Sequence, residues 1–426
     1  MDLLIKNGVI DGKVVTISID NRKIIDVIPA AEVSDNLSAD TVIDAAGMLV
    51  VPSLKNGHTH AAMTLLRGFA DDMKLQPWLE QKIWPAEAQL RPEDIYWGTR
   101  LGALEMIKTG TTFCNDMYFH FSEAWKAFHD AGMKAAVGST ILDQMNTETA
   151  ARAIEQTKQN FQDFAGSSEK LMLSPAPHAV YTVSEPTLRW ISDFSRSNSL
   201  IVHIHISETE QEVMDCLAVH GKRPVEYLDS IGFLGPHVVA AHCVWLSETE
   251  MDILANHQVT VVHNPVSNMK LAAGSCFQFE KLSARGVPMM LGTDGCSSNN
   301  NLDMFEEMKI AALLQKHHFN NPERMKSEEA FSLASGGETR VYPFLSSSIE
   351  AGAFADLLLI NPAHQSMTPR YNTVSNLVYS CSESAVDTVI CDGDILMQNR
   401  RVPGEDKIIE EAGRCADELK LRTGEK

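Results

Sequence analysis

The middle of the chain, 55–345, alternates strand-length apolar runs with amphipathic helical stretches, and this rhythm limits the fold more than any other feature. Eight runs end near His60, Met117, Leu142, His178, Glu208, Cys243, Asn264 and Asp294. Between them lie helical stretches such as 92–109, 147–164, 185–198, 247–257 and 277–285. Ser247-Glu248-Thr249-Glu250 offers a capping box, and Arg91-Pro92-Glu93-Asp94 puts proline and acids in a first turn. Eight strand–helix units predict a (β/α)8 barrel of TIM type, with a doubly wound open sheet as the second choice.

The ends of the chain read differently. Leu3-Leu4-Ile5, Val9-Ile10, Val14 to Ile19 and Lys23 to Ile28 alternate like short antiparallel strands, with turns at Asp11-Gly12 and Asp20-Asn21. The same texture returns in Ala355 to Ile360 and Val386 to Cys391, after which Asp392-Gly393 turns into Ile395-Leu396-Met397. The expected organisation is a small composite β-sandwich built from 1–54 and 346–426, the latter ending in a helix, with the barrel at 55–345 inserted.

Barrel chemistry sits at the C-terminal strand ends. Those ends carry His58 and His60, then His178, His205 with Glu208, His242, His263-Asn264 and finally Asp294. Residues two apart on a strand share a face, so His58 and His60 can present two imidazoles to one metal ion. Each residue alone also has a plain reading as a core or surface side chain. His263 reads as a core histidine, and His203, one layer below His205, as a hydrogen-bonding partner. Taken together at one level of the barrel, they point to a functional site.

Asn56-Gly57-His58-Thr59-His60, His205-Ile206-Ser207-Glu208-Thr209, Ala241-His242-Cys243, His263 to Asn268 and Gly292-Thr293-Asp294-Gly295 resemble the amidohydrolase superfamily in order and placement. Within it the chain is most similar to methylthioadenosine/S-adenosylhomocysteine deaminases and their adenosine-type and triazine-hydrolysing relatives. Ala61 to Gly68 and Ser297 to Met308 extend the likeness, which covers nearly the whole chain.

That resemblance implies one divalent metal ion, zinc ahead of ferrous iron, on His58, His60, His205 and Asp294. It implies Glu208 as the residue that takes a proton from the attacking water and gives it to the substrate ring. His242 would steady the oxyanion, and Asp294 would also relay a proton to the leaving amine. Binuclear relatives carry a lysine at the end of strand four. Here the only lysine of that strand, Lys170, is at its start, so one metal is expected. Gly57 before the first ligand and Pro52-Ser53 depart from the family pattern in ways that concern backbone fit.

The stretch 65–90 after strand one, with Trp78, Trp84 and Glu87, is long enough for a lid or recognition loop. By resemblance Glu87 would bind ribose hydroxyls, with His178 across from it. Relatives that accept S-adenosylhomocysteine hold its carboxylate with arginines, one near the end of strand three. This chain has Ser139 there, and Arg152 on the following helix is the nearest replacement. Met73, Leu75 and Trp78 could shelter an apolar 5′ group. The expected substrate is therefore methylthioadenosine, 5′-deoxyadenosine or adenosine ahead of S-adenosylhomocysteine. Deamination of a guanine-like base, triazine dechlorination and an inactive ligand-binding barrel are the alternatives.

Composition narrows the field further. A net charge of −20 without a basic cluster argues against nucleic acid and anionic membranes as partners. No apolar run approaches the ~20 residues of a membrane helix, and no signal peptide is visible. Eight cysteines without a CxxC pair suit reduced thiols, so a cytoplasmic location is expected. Neither a Gly-x-Gly-x-x-Gly nor a phosphate-loop pattern is present, and neither is the His-x-Glu with Pro-Cys-x-x-Cys of small zinc deaminases. The partner implied is a small-molecule purine nucleoside, and the resemblance also allows a homo-oligomer.

Overall fold

The structure is a computed structural model that describes residues 1–33, 37–337 and 340–424. Five strands open the chain: β1 Leu3–Ile10, β2 Lys13–Asp20, β3 Lys23–Pro29, β4 Thr41–Asp44 and β5 Leu49–Pro52. The β1–β2 hairpin turns through Asp11 and Gly12, both at positive φ, and β2–β3 through Asn21 and Arg22. Paired left-handed residues match the twist of the flanking strands.

The barrel strands are β6 Leu54–His60, β7 Thr111–Tyr118, β8 Lys134–Ile141, β9 Leu171–Pro177, β10 Val202–Ile206, β11 Val238–His242, β12 Thr260–His263, β13 Met289–Leu291 and β14 Asp294–Gly295. All neighbouring pairs are parallel, as β-strands joined by helical crossovers require. Hydrogen bonding runs as two sheets, β14-β6-β7-β8-β9 and β10-β11-β12-β13. The eighth strand is split: β13 pairs with β12, and β14 crosses to β6. On the other side a single bridge, Ala179 to His205, links the sheets. Gly57 is required by this crowding, since a Cβ there would lie 3.0 Å from Met290 Cβ and Val262 Cγ1.

Three late strands, β15 Leu357–Ile360, β16 Val386–Cys391 and β17 Asp394–Met397, return to the first five. The sheet order β17-β16-β15-β5-β1-β2-β3, with β4 also on β1, makes one continuous small sheet from the two chain ends. It has its own core of Ile5, Ile17, Ile19, Leu357 and Leu359 among others. The fully buried Lys134 Nζ ties barrel to sheet, 2.8 Å from Asp356 Oδ2 and 2.5 Å from Asp392 Oδ1. The last helix, Glu405–Thr423, makes ion pairs with the barrel helix Pro92–Lys108 through Lys108–Glu405 and Arg422–Asp94.

The stretch expected as a long loop after β6 is mostly helical. Short helical segments run Leu75–Trp78, Leu79–Ile83 and Trp84–Glu87. Trp78, Leu79, Ile83 and Ala86 are buried, and their helical spacing lays one apolar face onto the barrel mouth. Among the described residues no helix is long and apolar enough to cross a membrane.

Candidate active site

At the C-terminal end of the barrel, His58 Nε2 and His60 Nε2 each lie 3.2 Å from Asp294 Oδ1. His205 and His242 gather round His58 from β10 and β11, with ring centroids 4.8 and 5.4 Å away. Ring atoms of His58, His205 and His242 come within 4.8 Å of one another, as do those of His58 and His60 with the Asp294 carboxylate.

Neighbours fix the direction of each imidazole. His58 Nδ1 is 2.8 Å from His203 Nε2, which gives His203 the hydrogen-bonding place expected for it. His60 Nδ1–H donates to the Met117 carbonyl at 2.5 Å and His205 Nδ1–H to that of His178 at 2.7 Å. All three therefore turn Nε2 towards the common centre, the arrangement that partners of metal-bound histidines impose. Asp294 divides its oxygens: Oδ2 accepts from Ser267 Oγ at 2.6 Å and Ser298 Oγ at 2.8 Å, leaving Oδ1 to the histidines.

Burial pushes the His58 pKa down to about 3, and holds His203 and His205 well below the usual histidine value. Neutral imidazole is the form that binds metal. Burial opposes charge on His60 as well, but the Asp294 carboxylate outweighs it and raises that pKa to about 9. Burial works against ionising Asp294 too, yet its bonds to His58 and His60 keep it well below the ordinary carboxylate range. Ligand atoms ~2.1 Å from one ion at tetrahedral angles stand roughly 3.4 Å apart, close to the spacing found here. The donor set fits a divalent metal ion. Lys170 lies at the opposite end of the barrel, where its Nζ is 2.6 Å from Asp394 Oδ2.

Several strand ends are bent to present these groups. Ser207, His242, Cys243 and Asp294 all have positive φ, at 51°, 72°, 48° and 63°. Left-handed non-glycine residues cost energy and persist where the surroundings dictate them, often at functional sites. His242 Nδ1 is 2.9 Å from Asn268 Oδ1, which aims Nε2 at Glu208, 3.8 Å from its Oε2. Burial raises the Glu208 pKa, with His242 pulling it back.

A cavity opens above this centre, at the barrel end where small-molecule sites lie. Glu208, His242 and Asp294 line it, as do His178, Glu87 and Trp78. His178 Nδ1 is 2.9 Å from Thr182 Oγ1, and its ring centroid is 4.9 Å from that of His205. Burial raises the Glu87 pKa to about 7. The Tyr118 hydroxyl stands beside Glu87 and pulls in the opposite direction without closing a well-formed hydrogen bond.

Two expectations fail here. Arg152 is exposed on the helix Thr147–Phe164, 3.4 Å from Thr149 Oγ1, and does not line the cavity. The helix packs through Ala150, Thr157 and Asn160, which leaves Arg152 on the solvent side. Met73 is likewise absent from the lining, although Leu75 and Trp78 are there. Ser139 faces the same helix, 3.0 Å from Thr157 Oγ1, so the strand-three residues that reach the cavity are Thr140 and Leu142. From sequence, neither Tyr118 nor Tyr181 is singled out, and Leu142 only as a strand end. Alternation along β7 and β8 was the available signal for the first and last of them.

Fold and site define a metal-centred barrel with acid–base side chains around an apolar cavity. The amidohydrolase family profile matches residues 49–396. The 5′-deoxyadenosine deaminase of Methanoregula boonei is 48% identical over 385 residues, covering 90% of this chain and 87% of that one. The 5-methylthioadenosine/S-adenosylhomocysteine deaminase 1 of Archaeoglobus fulgidus is 40% identical over 420 residues, covering 98% and 97%. A crystal structure of an adenosine deaminase from Xanthomonas campestris with bound zinc superposes with a TM-score of 0.90 at 32% identity, over 99% of each chain. The chain belongs to the amidohydrolase family.

Proposed function

We propose that this protein is a hydrolytic deaminase of adenosine derivatives with uncharged 5′ groups, releasing ammonia and the inosine analogue. One observation carries the reading. The cavity places Glu208, His242 and the His58–His60–Asp294 cluster together with Glu87, and among the described residues no lysine or arginine lines it. The names of the relatives agree with an adenosine derivative as substrate; one names 5′-deoxyadenosine, the other both methylthioadenosine and S-adenosylhomocysteine.

His58, His60, His205 and Asp294 are the proposed metal ligands, and zinc is the proposed ion. When bound, such an ion lowers the pKa of water towards ~7 and stabilises developing negative charge. In the reaction the water oxygen bonds to C6 of the purine, and the bond from C6 to the amino nitrogen breaks. Glu208 takes one proton from the water and delivers it to N1. Burial raises its pKa, which makes it a stronger base than an exposed carboxylate. His242, its Nδ1 engaged by Asn268, turns Nε2 towards the oxygen that adds to C6. Asp294, held by Ser267 and Ser298, passes the second proton to the departing amine.

Glu87 is the proposed acceptor for the ribose hydroxyls, with His178 nearby; a free guanine-like base would offer this half-buried carboxyl no sugar hydroxyls. Leu75, Trp78, Leu79 and Leu142 give the 5′ end an apolar seat. A carboxylate on that group would be desolvated with no cation to meet it. The test is ammonia release from 5′-deoxyadenosine by zinc-loaded protein. Turnover to the inosine analogue is expected, and no turnover of any adenosine derivative overturns the reading.

A further inference from the structure

Glu212 lies outside the cavity, yet it holds the peptide from which Glu208 projects. It sits in the first turn of the helix Glu210–His220, 5% exposed. Its two carboxylate oxygens accept from two consecutive backbone N–H groups, Oε1 from Ser207 and Oε2 from Glu208, both at 2.8 Å. The opposite side of this peptide is also tied down. The Ser207 carbonyl accepts from the Val244 N–H at 3.0 Å and the Trp245 N–H at 2.9 Å, on the segment that follows His242. Between the two attachments Ser207 is held left-handed, at φ 51°.

With one oxygen on each donor, the Glu212 carboxylate satisfies both. A glutamine has one oxygen to accept with, and its amide group would face the second N–H with another N–H. Leaving a buried backbone donor unpaired is costly, so the peptide would turn and swing Glu208 away from His242. Nothing else among the described hydrogen bonds accepts from the Ser207 or Glu208 N–H.

We infer that Glu212 is a positioning residue for catalysis: its carboxylate locks the Ser207–Glu208 peptide and so aims the Glu208 carboxyl at His242 and the substrate ring. This assignment rests on the proposed role of Glu208 as proton carrier. Glu212 touches neither substrate nor the metal cluster, so its removal should act on the chemical step alone.

The experiment compares Glu212→Gln with wild type and Glu208→Gln, all zinc-loaded and full-length, using 5′-deoxyadenosine. Glu212→Gln is expected to lower kcat by about 10–100-fold, the usual cost of losing such a supporting contact. KM should stay within about twofold of wild type, with zinc content unchanged. A purely structural role would instead lower thermal stability and leave kcat per zinc-loaded molecule intact, and that result overturns the inference. If Glu208→Gln itself turns over at the wild-type rate, the reading of Glu208 fails first. Hydrogen exchange of the wild-type segment 206–209 gives a second arm that needs no variant. Slow exchange is expected, and exchange as fast as in an open loop overturns the inference.

Discussion

Glu208 Oε2 and His242 Nε2 face each other at 3.8 Å, on neighbouring strand ends that are both bent through left-handed residues. At that spacing the pair can bracket one reacting atom: the carboxyl handles protons while the imidazole meets developing charge. Glu208→Gln keeps the shape and removes the proposed proton carrier. Turnover should fall at least ~10²–10⁴-fold, with zinc content and binding of an inosine-type product analogue retained. A variant that keeps most of the wild-type rate would move the proton to another residue.

His205→Ala should lose zinc and activity together, because Nε2 is aimed at the cluster by the His178 carbonyl. His242→Asn should keep the zinc while slowing turnover. Metal analysis of the two proteins beside wild type separates ligand from non-ligand. Loss of zinc from His242→Asn would make His242 a ligand, a grouping its distance to His58 permits.

Glu87 supplies a pH signature. Its pKa is raised by burial to about 7, so the acid form stabilises the fold below the unfolded value near ~4.5. That contribution is lost as pH rises through 7. Glu87→Gln should therefore become more heat-stable than wild type relative to its behaviour in acid, as pH climbs from about 5 to 8. For catalysis the sign is opposite, since the ionised form is the proposed acceptor for the ribose hydroxyls. A plot of kcat/KM for a nucleoside should fall on the acid side of about 7 in wild type and lose that limb in Glu87→Gln. An unchanged limb would assign it to another group.

Lys134 sits between Asp356 and Asp392 with all three side chains fully buried. Lys134→Met would leave the buried Asp356 carboxylate without its ion-pair partner and Asp392 with Arg22 alone, a change that typically costs ~3–5 kcal/mol. Denaturant unfolding should show that loss, while the zinc content of folded protein stays the same. A difference below ~1 kcal/mol would show that Arg22, 2.6 Å from Asp392, already compensates the pair.

How much of this was legible from sequence follows from the reach of the signals. The eight strands could be located because apolar period and helix-start residues are local, and His58, His60, His205, His242 and Asp294 could be placed at strand ends for the same reason. The likeness of their surrounding motifs to a known family gave them roles. Glu212 was invisible because its partners are backbone N–H groups, which no side-chain pattern records. Arg152 misled because its charge suggested a role, while its place on the helix depended on which face Ala150, Thr157 and Asn160 would bury. Ser139 shows the same limit: one residue of register on β8 decides whether a side chain meets the cavity or the helix. The split of the eighth strand, which brings Asp294 beside Thr59, rests on pairing between segments 235 residues apart, beyond any local signal.

The central claim is that the cavity takes an adenosine derivative whose 5′ group is uncharged. Its most direct measurement is kcat/KM for 5′-deoxyadenosine, methylthioadenosine, adenosine and S-adenosylhomocysteine, side by side on zinc-loaded protein. An unpaired buried charge costs ~2–5 kcal/mol, so S-adenosylhomocysteine should be slower than the other three by a factor of tens to thousands. An equal or higher value for S-adenosylhomocysteine, or turnover confined to free guanine-like bases, would contradict the account.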